Sequence, residues 1–106
     1  MSHRPVQIAG IVRSVVARHA AQIPPTIAKV VSVVEVKISA DLSYADVYMS
    51  AVDKVDPAIK FLKNRVPEFR SELARELKLH RVPMFRFHRD QTGEQGDSIE
   101  RLLEKL

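Results

Sequence analysis

The sequence predicts an α+β domain in which helices cover one face of a three-stranded sheet. Three observations predict it. Apolar residues recur at helical spacing in the first quarter and again across residues 59–79, the mark of amphipathic helices. Between them lie two β-branched runs joined by a short polar turn, the mark of a hairpin. A third alternating run, "RVPMFRFHRD", follows the second helical region. The order is α-β-β-α-(kink)-α-β-α, which packs as helices against one side of a sheet.

Ile8, Ile11, Val12, Val15, Val16 and Ile23 keep i, i+3/i+4, i+7 spacing and predict a first helix over residues 4–21. Pro24 and Pro25 end it, because neither can donate a helical hydrogen bond. His19 continues the inward stripe, as a histidine at the edge of the core. In "KVVSVVEVKIS" the second half alternates Val34, Val36 and Ile38 against Glu35, Lys37 and Ser39. Val31 and Val33 are out of phase with that pattern, which predicts a bulge or burial on both faces. "ADLS" is a turn, with the Asp41 side chain accepting from nearby backbone amides. The next strand alternates Ala45, Val47, Met49 and Ala51 against Asp46, Tyr48 and Ser50.

"DKVDPAI" predicts a helix start with Asp56 as N-cap and Pro57 in the first helical position. Ile59, Leu62 and Val66 form its inward stripe. Past Pro67, Phe69, Leu73 and Leu77 form another, so Pro67 starts a second helix instead of damaging one. Phe85 and Phe87 of the third strand face inward, Arg86 and His88 outward, and Pro83 is tolerated at the strand head. A polar loop and a short helix led by Asp97 or Ser98 complete the 106 residues, which predict one domain, residues 1–106.

Composition is that of a soluble globular protein, with 45% hydrophobic and 28% charged residues and no cysteine. The absence of cysteine, of an apolar leader and of any run of about 18 apolar residues predicts a soluble cytoplasmic chain. Net charge is +4, unevenly spread. Residues 56–90 hold nine Lys/Arg against five Asp/Glu, whereas residues 91–106 hold two against four. Positive charge concentrated on one region favours a polyanionic partner.

No catalytic set is present: there is no cysteine nucleophile, G-x-S-x-G, P-loop or H-E-x-x-H, so no enzyme is predicted. His80 and His88 lie on different elements with no carboxylate at ligand spacing, so neither a metal nor any other cofactor is expected. The kink carries the function instead. A helical wheel places Lys60 and Asn64 outside, Lys63 at the border, Arg65 on the other flank, Arg70 at the core edge, and Arg75 and Lys78 outside. Glu68, Glu72 and Glu76 share a flank and are set to pair with Arg75. Phe61 points outward by the same wheel, where it covers a neighbouring loop or, as the second reading, offers a face for a base to stack on. Cations on both sides of a bend, beside the amides of a helix start, are what a phosphate chain needs. The predicted RNA-contacting set is Lys60, Lys63, Asn64, Arg65, Arg70, Arg75, Lys78 and Arg81. A different reading is a protein-interaction module that uses the exposed sheet face of Glu35, Lys37, Asp46, Tyr48 and Arg86.

Residues 34–50, "VEVKISADLSYADVYMS", resemble the hairpin signature of bacterial ribosome-binding factor A, approximately V-x-V-S-x-D-L-x-x-A-x-V-Y-V-S. Val36, Ser39, Asp41, Leu42, Ala45, Val47, Tyr48 and Ser50 carry the match, with one extra-phase residue at Ile38. "FRSELARELKLHRVPMFRFHRD" is similar to the family's arginine-led helix, L-R-x-x-P junction and L-x-F-x-x-D strand, through Arg70, Leu77, Leu79, Pro83, Phe87 and Asp90. The resemblance implies a KH-like fold of type II order, α-β-β-α-kink-α-β, with a short C-terminal helix. It also implies a monomeric, non-catalytic biogenesis factor that binds the immature 30S subunit and its 16S rRNA. Such a factor assists late rRNA processing and matters most in the cold. In that family a kinked helix pair replaces the G-x-x-G clamp of ordinary KH domains. The usual A-x-G of the kink is here Arg65-Val66-Pro67, and the acidic D-P-R-L turn is replaced by "IPPTIA".

Overall fold

The computed structural model describes residues 4–77 and 82–90. Lys78, Leu79, His80 and Arg81, and the helix expected after Asp97, lie outside them. Helix α1 spans Arg4–Ala20, strands β1 and β2 span Ser32–Ile38 and Tyr44–Ser50, helices α2 and α3 span Val55–Lys63 and Val66–Leu77, and strand β3 spans Met84–Arg89. Strand order in the sheet is β1-β2-β3. The hairpin is antiparallel, and β3 returns parallel to β2. A parallel return needs a crossover, and α2 with α3 supplies it.

Ile8, Val12, Val15 and Val16 of α1 are buried, as are Ala45, Val47 and Met49 of β2, Ile59 and Leu62 of α2, and Phe69 and Leu73 of α3. Each of these side chains other than Ala45 contributes roughly 1.5–3 kcal/mol of transfer free energy. Phe85 and Phe87 close the core from β3, half-buried, and Val66 and Leu77 stand at its edge.

The hairpin bulges, as the broken alternation predicts. Val33 pairs with Met49 and Glu35 with Tyr48, which leaves Val34 as the extra residue. Val34 is therefore 39% exposed and not an inward residue. The bulge resets the phase, so Val33 and Val36 both face the core. The turn is built as Asp41 suggests. Its Oδ1 accepts from Ser39 Oγ at 2.8 Å and from Ser43 N at 3.1 Å, while Ser39 Oγ accepts from Tyr44 N at 2.9 Å. Leu42 takes a left-handed φ of 63° inside that network.

The start of α2 differs from expectation. The helix begins at Val55 after Lys54, whose φ is 51°, and no side chain caps it. Asp56 lies inside the first turn and accepts from Arg89 Nε at 2.9 Å, tying α2 to the end of β3. The carboxylate is thus engaged by the Arg89 guanidinium in a charge-assisted pair instead of by the first amides of the helix. Between α2 and α3 only Asn64 and Arg65 intervene. Asn64 N donates to Lys60 O, Arg65 N to Leu62 O, and Phe69 N to Arg65 O. Pro67 thus stands in the first turn of α3, where its missing N–H costs nothing.

Candidate nucleic-acid interface

The junction between α2 and α3 is held against α1 by a polar network centred on His19. His19 is 6% exposed. Its Nε2 lies 3.0 Å from Glu72 Oε1, and its Nδ1 lies 3.3 Å from Arg65 Nη1. Arg65 has only hydrogens to offer, so Nδ1 accepts and Nε2–H donates to the carboxylate. Arg65 also donates to Gln22 Oε1, and its guanidinium carbon stands 4.6 Å over the Phe61 ring. Arg18 extends the network, 3.7 Å from Glu72 and 3.4 Å from Glu76.

These contacts revise the wheel. Glu72 and Glu76 pair across helices with α1 and not with Arg75, because α1 and α3 pack side by side and bring Arg18 and His19 to that flank. Phe61 is half-buried against the core, and its cover is Arg65 rather than a loop. Arg65 is likewise half-buried and committed to internal partners. The start of α3 is also a poorer anion site than its position suggests. Pro67 has no N–H, Glu68 N is taken by Arg65 O, and the Glu68 carboxylate sits in the first turn.

The remaining cations fall into three places. Lys60, Lys63 and Asn64 are exposed and share the outer face at the end of α2, being three and four residues apart. Arg75 is exposed in a depression with Arg18, Glu72 and Glu76. Arg70 is exposed, not at the core edge, and with Arg4, Ser43, Tyr44, Val82 and Met84 it lines a cleft of about 550 Å³ beside the hairpin turn. Lys78 and Arg81 lie outside the described residues. The six that are described therefore do not form one patch.

The opposite side of the sheet holds groups that periodicity marks only as outward. Asp46 accepts from Arg86 at 2.8 and 2.9 Å, and His88 Nε2 lies 2.8 Å from its Oδ1. Arg86 first, then His88, holds the Asp46 carboxyl below the ordinary carboxylate range. Hydrogen bonds from Ser43 and Ser39 do the same for Asp41, and Arg89 does so for Asp56. A depressed carboxyl stabilises the fold above its ordinary pKa and loses that contribution as pH falls through the folded value. Asp46→Asn should therefore cost about 1 kcal/mol at pH 7. The gap from the parent should close below about pH 4. Urea titrations at pH 7 and pH 3 measure it, and an equal gap at both would remove the ion pair as its cause. The contacts of Tyr44 with Arg86 and of His88 with Tyr48 and Asp46 escape sequence reasoning because no local pattern carries a pairing between distant strands.

Among the described residues no group of three or more His, Asp or Glu side chains is set to hold a metal, and no helix is long and apolar enough to cross a membrane.

The profile of the family described as Ribosome-binding factor A matches residues 5–103. A Petrotoga mobilis protein named Ribosome-binding factor A is 38% identical over 79 residues, 74% of this chain and 68% of that protein. One of the same name from Xanthomonas oryzae pv. oryzae is 40% identical over 78 residues, 72% of this chain and 60% of that protein. The crystal structure of ribosome-binding factor A from Thermus thermophilus superposes with a TM-score of 0.68 at 20% identity, covering 80% of this chain and 93% of that one. Coordinates of the Thermus thermophilus factor fitted into a map of a 30S complex give 0.66 at 21% identity, covering 87% and 97%. At these identities the likeness establishes the fold, which is KH-like.

Proposed function

Because the chain belongs to the ribosome-binding factor A family, we propose that it binds the small ribosomal subunit through 16S rRNA and acts as a non-catalytic assembly factor in the cytoplasm. In this reading it assists late rRNA processing near the 5′ end and the decoding region, and it matters most in the cold. The family match and the 30S complex of its Thermus thermophilus structural neighbour support the partner.

One observation carries the surface. Lys60, Lys63 and Asn64 stand together, exposed, at the end of α2, directly before a junction pinned by His19 and Arg65. The helix dipole also favours cations at that end, so binding and not stability has to decide their role. A folded RNA recognised by its backbone needs point charges at fixed positions more than hydrogen-bond readers. The pinned junction fixes them. Arg70 and Arg75 extend the contact along α3, while Arg65 acts as the fixing residue and not as a phosphate ligand.

Lys60→Ala, Lys63→Ala and Arg75→Ala should each change stability by no more than about 0.5 kcal/mol, since all three are exposed. With the three combined, binding to a small-subunit RNA fragment should weaken about tenfold or more at moderate salt, and the slope of log K against log salt should fall by about three. The triple variant should also fail to relieve slow growth in the cold in cells lacking the native protein. Parent-like affinity, slope and rescue together would show that this face is only solvated.

A further inference from the structure

The outward face of the sheet is built as a ladder of planar groups and cations. The strand register sets Lys37 and Arg86 on either side of Asp46, and Glu35 and His88 on either side of Tyr48. The Tyr48 and His88 rings stack, with centroids 4.9 Å apart and 25° between planes, and Lys37 Nζ lies 5.4 Å over the Tyr48 ring. One pleat pair along β2, the Arg86 guanidinium carbon stands 4.0 Å over Tyr44. Asp46, the carboxylate at the centre, is spent on orienting Arg86 and His88. The face is accessible: Tyr44 is 37% exposed, and the His88 and Arg86 side chains are 40% and 50% exposed.

Two features point to an occupant. First, aromatic rings and a guanidinium plane interleaved with lysine are groups on which bases stack regardless of sequence, and sheet aromatics of this kind hold two or three unpaired bases in RNA-binding sheets. Tyr44 and Tyr48 are about 13 Å apart by the strand rise, a span that a few unstacked nucleotides cross. Second, the ladder runs into the cleft beside the hairpin turn, since Tyr44 and Met84 belong to both, and Arg70 stands across that cleft as a guanidinium for phosphate. Along the ladder itself a polypeptide would find no run of aliphatic side chains; Leu42, Val82 and Met84 lie at the cleft end.

We propose that this face is a second RNA site, taking a single-stranded segment whose bases stack on the Tyr44–Arg86 and Tyr48–His88 planes while its phosphates follow Lys37 and Arg70. It rests on the reading that this chain works on RNA. The two surfaces divide the work: the α2 cations hold folded RNA by its backbone, and the sheet holds an unpaired strand.

The test uses the full chain with a fluorescent single-stranded uridine nonamer and a short RNA duplex. The parent should prefer the single strand. Tyr44→Leu with Tyr48→Leu should weaken nonamer binding at least tenfold, since stacking is worth roughly 5–150-fold per base. Tyr44→Phe with Tyr48→Phe keeps the rings and should bind like the parent. The salt slope should not change in the leucine pair, because no charge is removed. Should the leucine pair fail to fold by circular dichroism, Tyr44→Leu alone carries the same expectation. Parent-like nonamer binding by the leucine variant, or equal loss in the phenylalanine variant, overturns the proposal. So does intact nonamer binding with loss of a ribosomal protein contact, which would make the face a polypeptide site. Lys60→Ala with Lys63→Ala, tested on small subunits in parallel, separates this failure from a failure of the α2 reading.

Discussion

Phe69→Ala lowers the free energy of unfolding by about 3–5 kcal/mol, the range for removing a fully buried aromatic ring. Phe69 is 0% exposed and sits in the first turn of α3, where it joins three elements. The His19 ring meets it edge-on from α1 at 4.7 Å, and Phe85 meets it from β3 at 5.6 Å. Truncation loses the transfer free energy, leaves a cavity that neither α1 nor β3 closes without moving, and strips His19 of its ring partner. Against a total stability of about 5–15 kcal/mol for such domains, that is a large fraction. The urea midpoint should fall steeply with little change in slope, since the surface exposed on unfolding is nearly the same. A loss below about 1.5 kcal/mol would mean that α3 does not depend on this anchor.

The elements legible in the sequence are those set by local rules. The stripe of α1, the Asp41 turn and the break before α3, which starts at Val66 with Pro67 in its first turn, depend on residues within a few positions of one another. Even the bulge is readable as a broken alternation at Val31 and Val33, though not which residue it expels; alternation points Val34 inward, and the fold leaves it half-exposed. Asp56 misleads because a good N-cap residue finds a different partner, Arg89, 33 residues away. Arg65 likewise has partners that no local pattern carries. A wheel assigns a face, but it cannot show that Gln22 and His19, 43 and 46 residues earlier, fold into reach. The charged set is therefore legible as a composition and not as a surface: apart from Arg65, its described members divide among the end of α2, the Arg18 flank and the hairpin cleft. The parallel return of β3, which puts Arg86 and His88 beside Asp46, is a further long-range fact that no period carries.

His19 is the point at which fold and function meet, and His19→Ala should cost about 2–4 kcal/mol. The ring is buried, and its removal empties space against Phe69. The larger effect is on what it leaves behind. Glu72, whose side chain is 28% exposed, loses the donor at 3.0 Å, and Arg65 loses one of its acceptors. A buried group left without a partner costs about 1–3 kcal/mol, and the partial exposure of Glu72 and Arg65 keeps these two at the low end. A truncated ring adds the cavity contribution to that cost. Arg18 also reaches Glu72, at 3.7 Å, and recovers part of the carboxylate's loss. A double-mutant cycle isolates the pair. His19→Ala and Glu72→Ala, measured alone and together by urea unfolding, should couple by at least about 1 kcal/mol, within the range for residues sharing one network. The functional consequence separates from the stability one under conditions where the variant remains folded. With His19 gone, Arg65 is held only by Gln22 and the Phe61 ring, so the junction that sets Lys60, Lys63 and Asn64 is less fixed. Affinity for small-subunit RNA should then fall while the salt slope stays near that of the parent, because every phosphate-facing charge is still present. A slope that falls with the affinity would place Arg65 among the phosphate contacts after all, and zero coupling to Glu72 would show that the junction is held by packing against Phe69 alone.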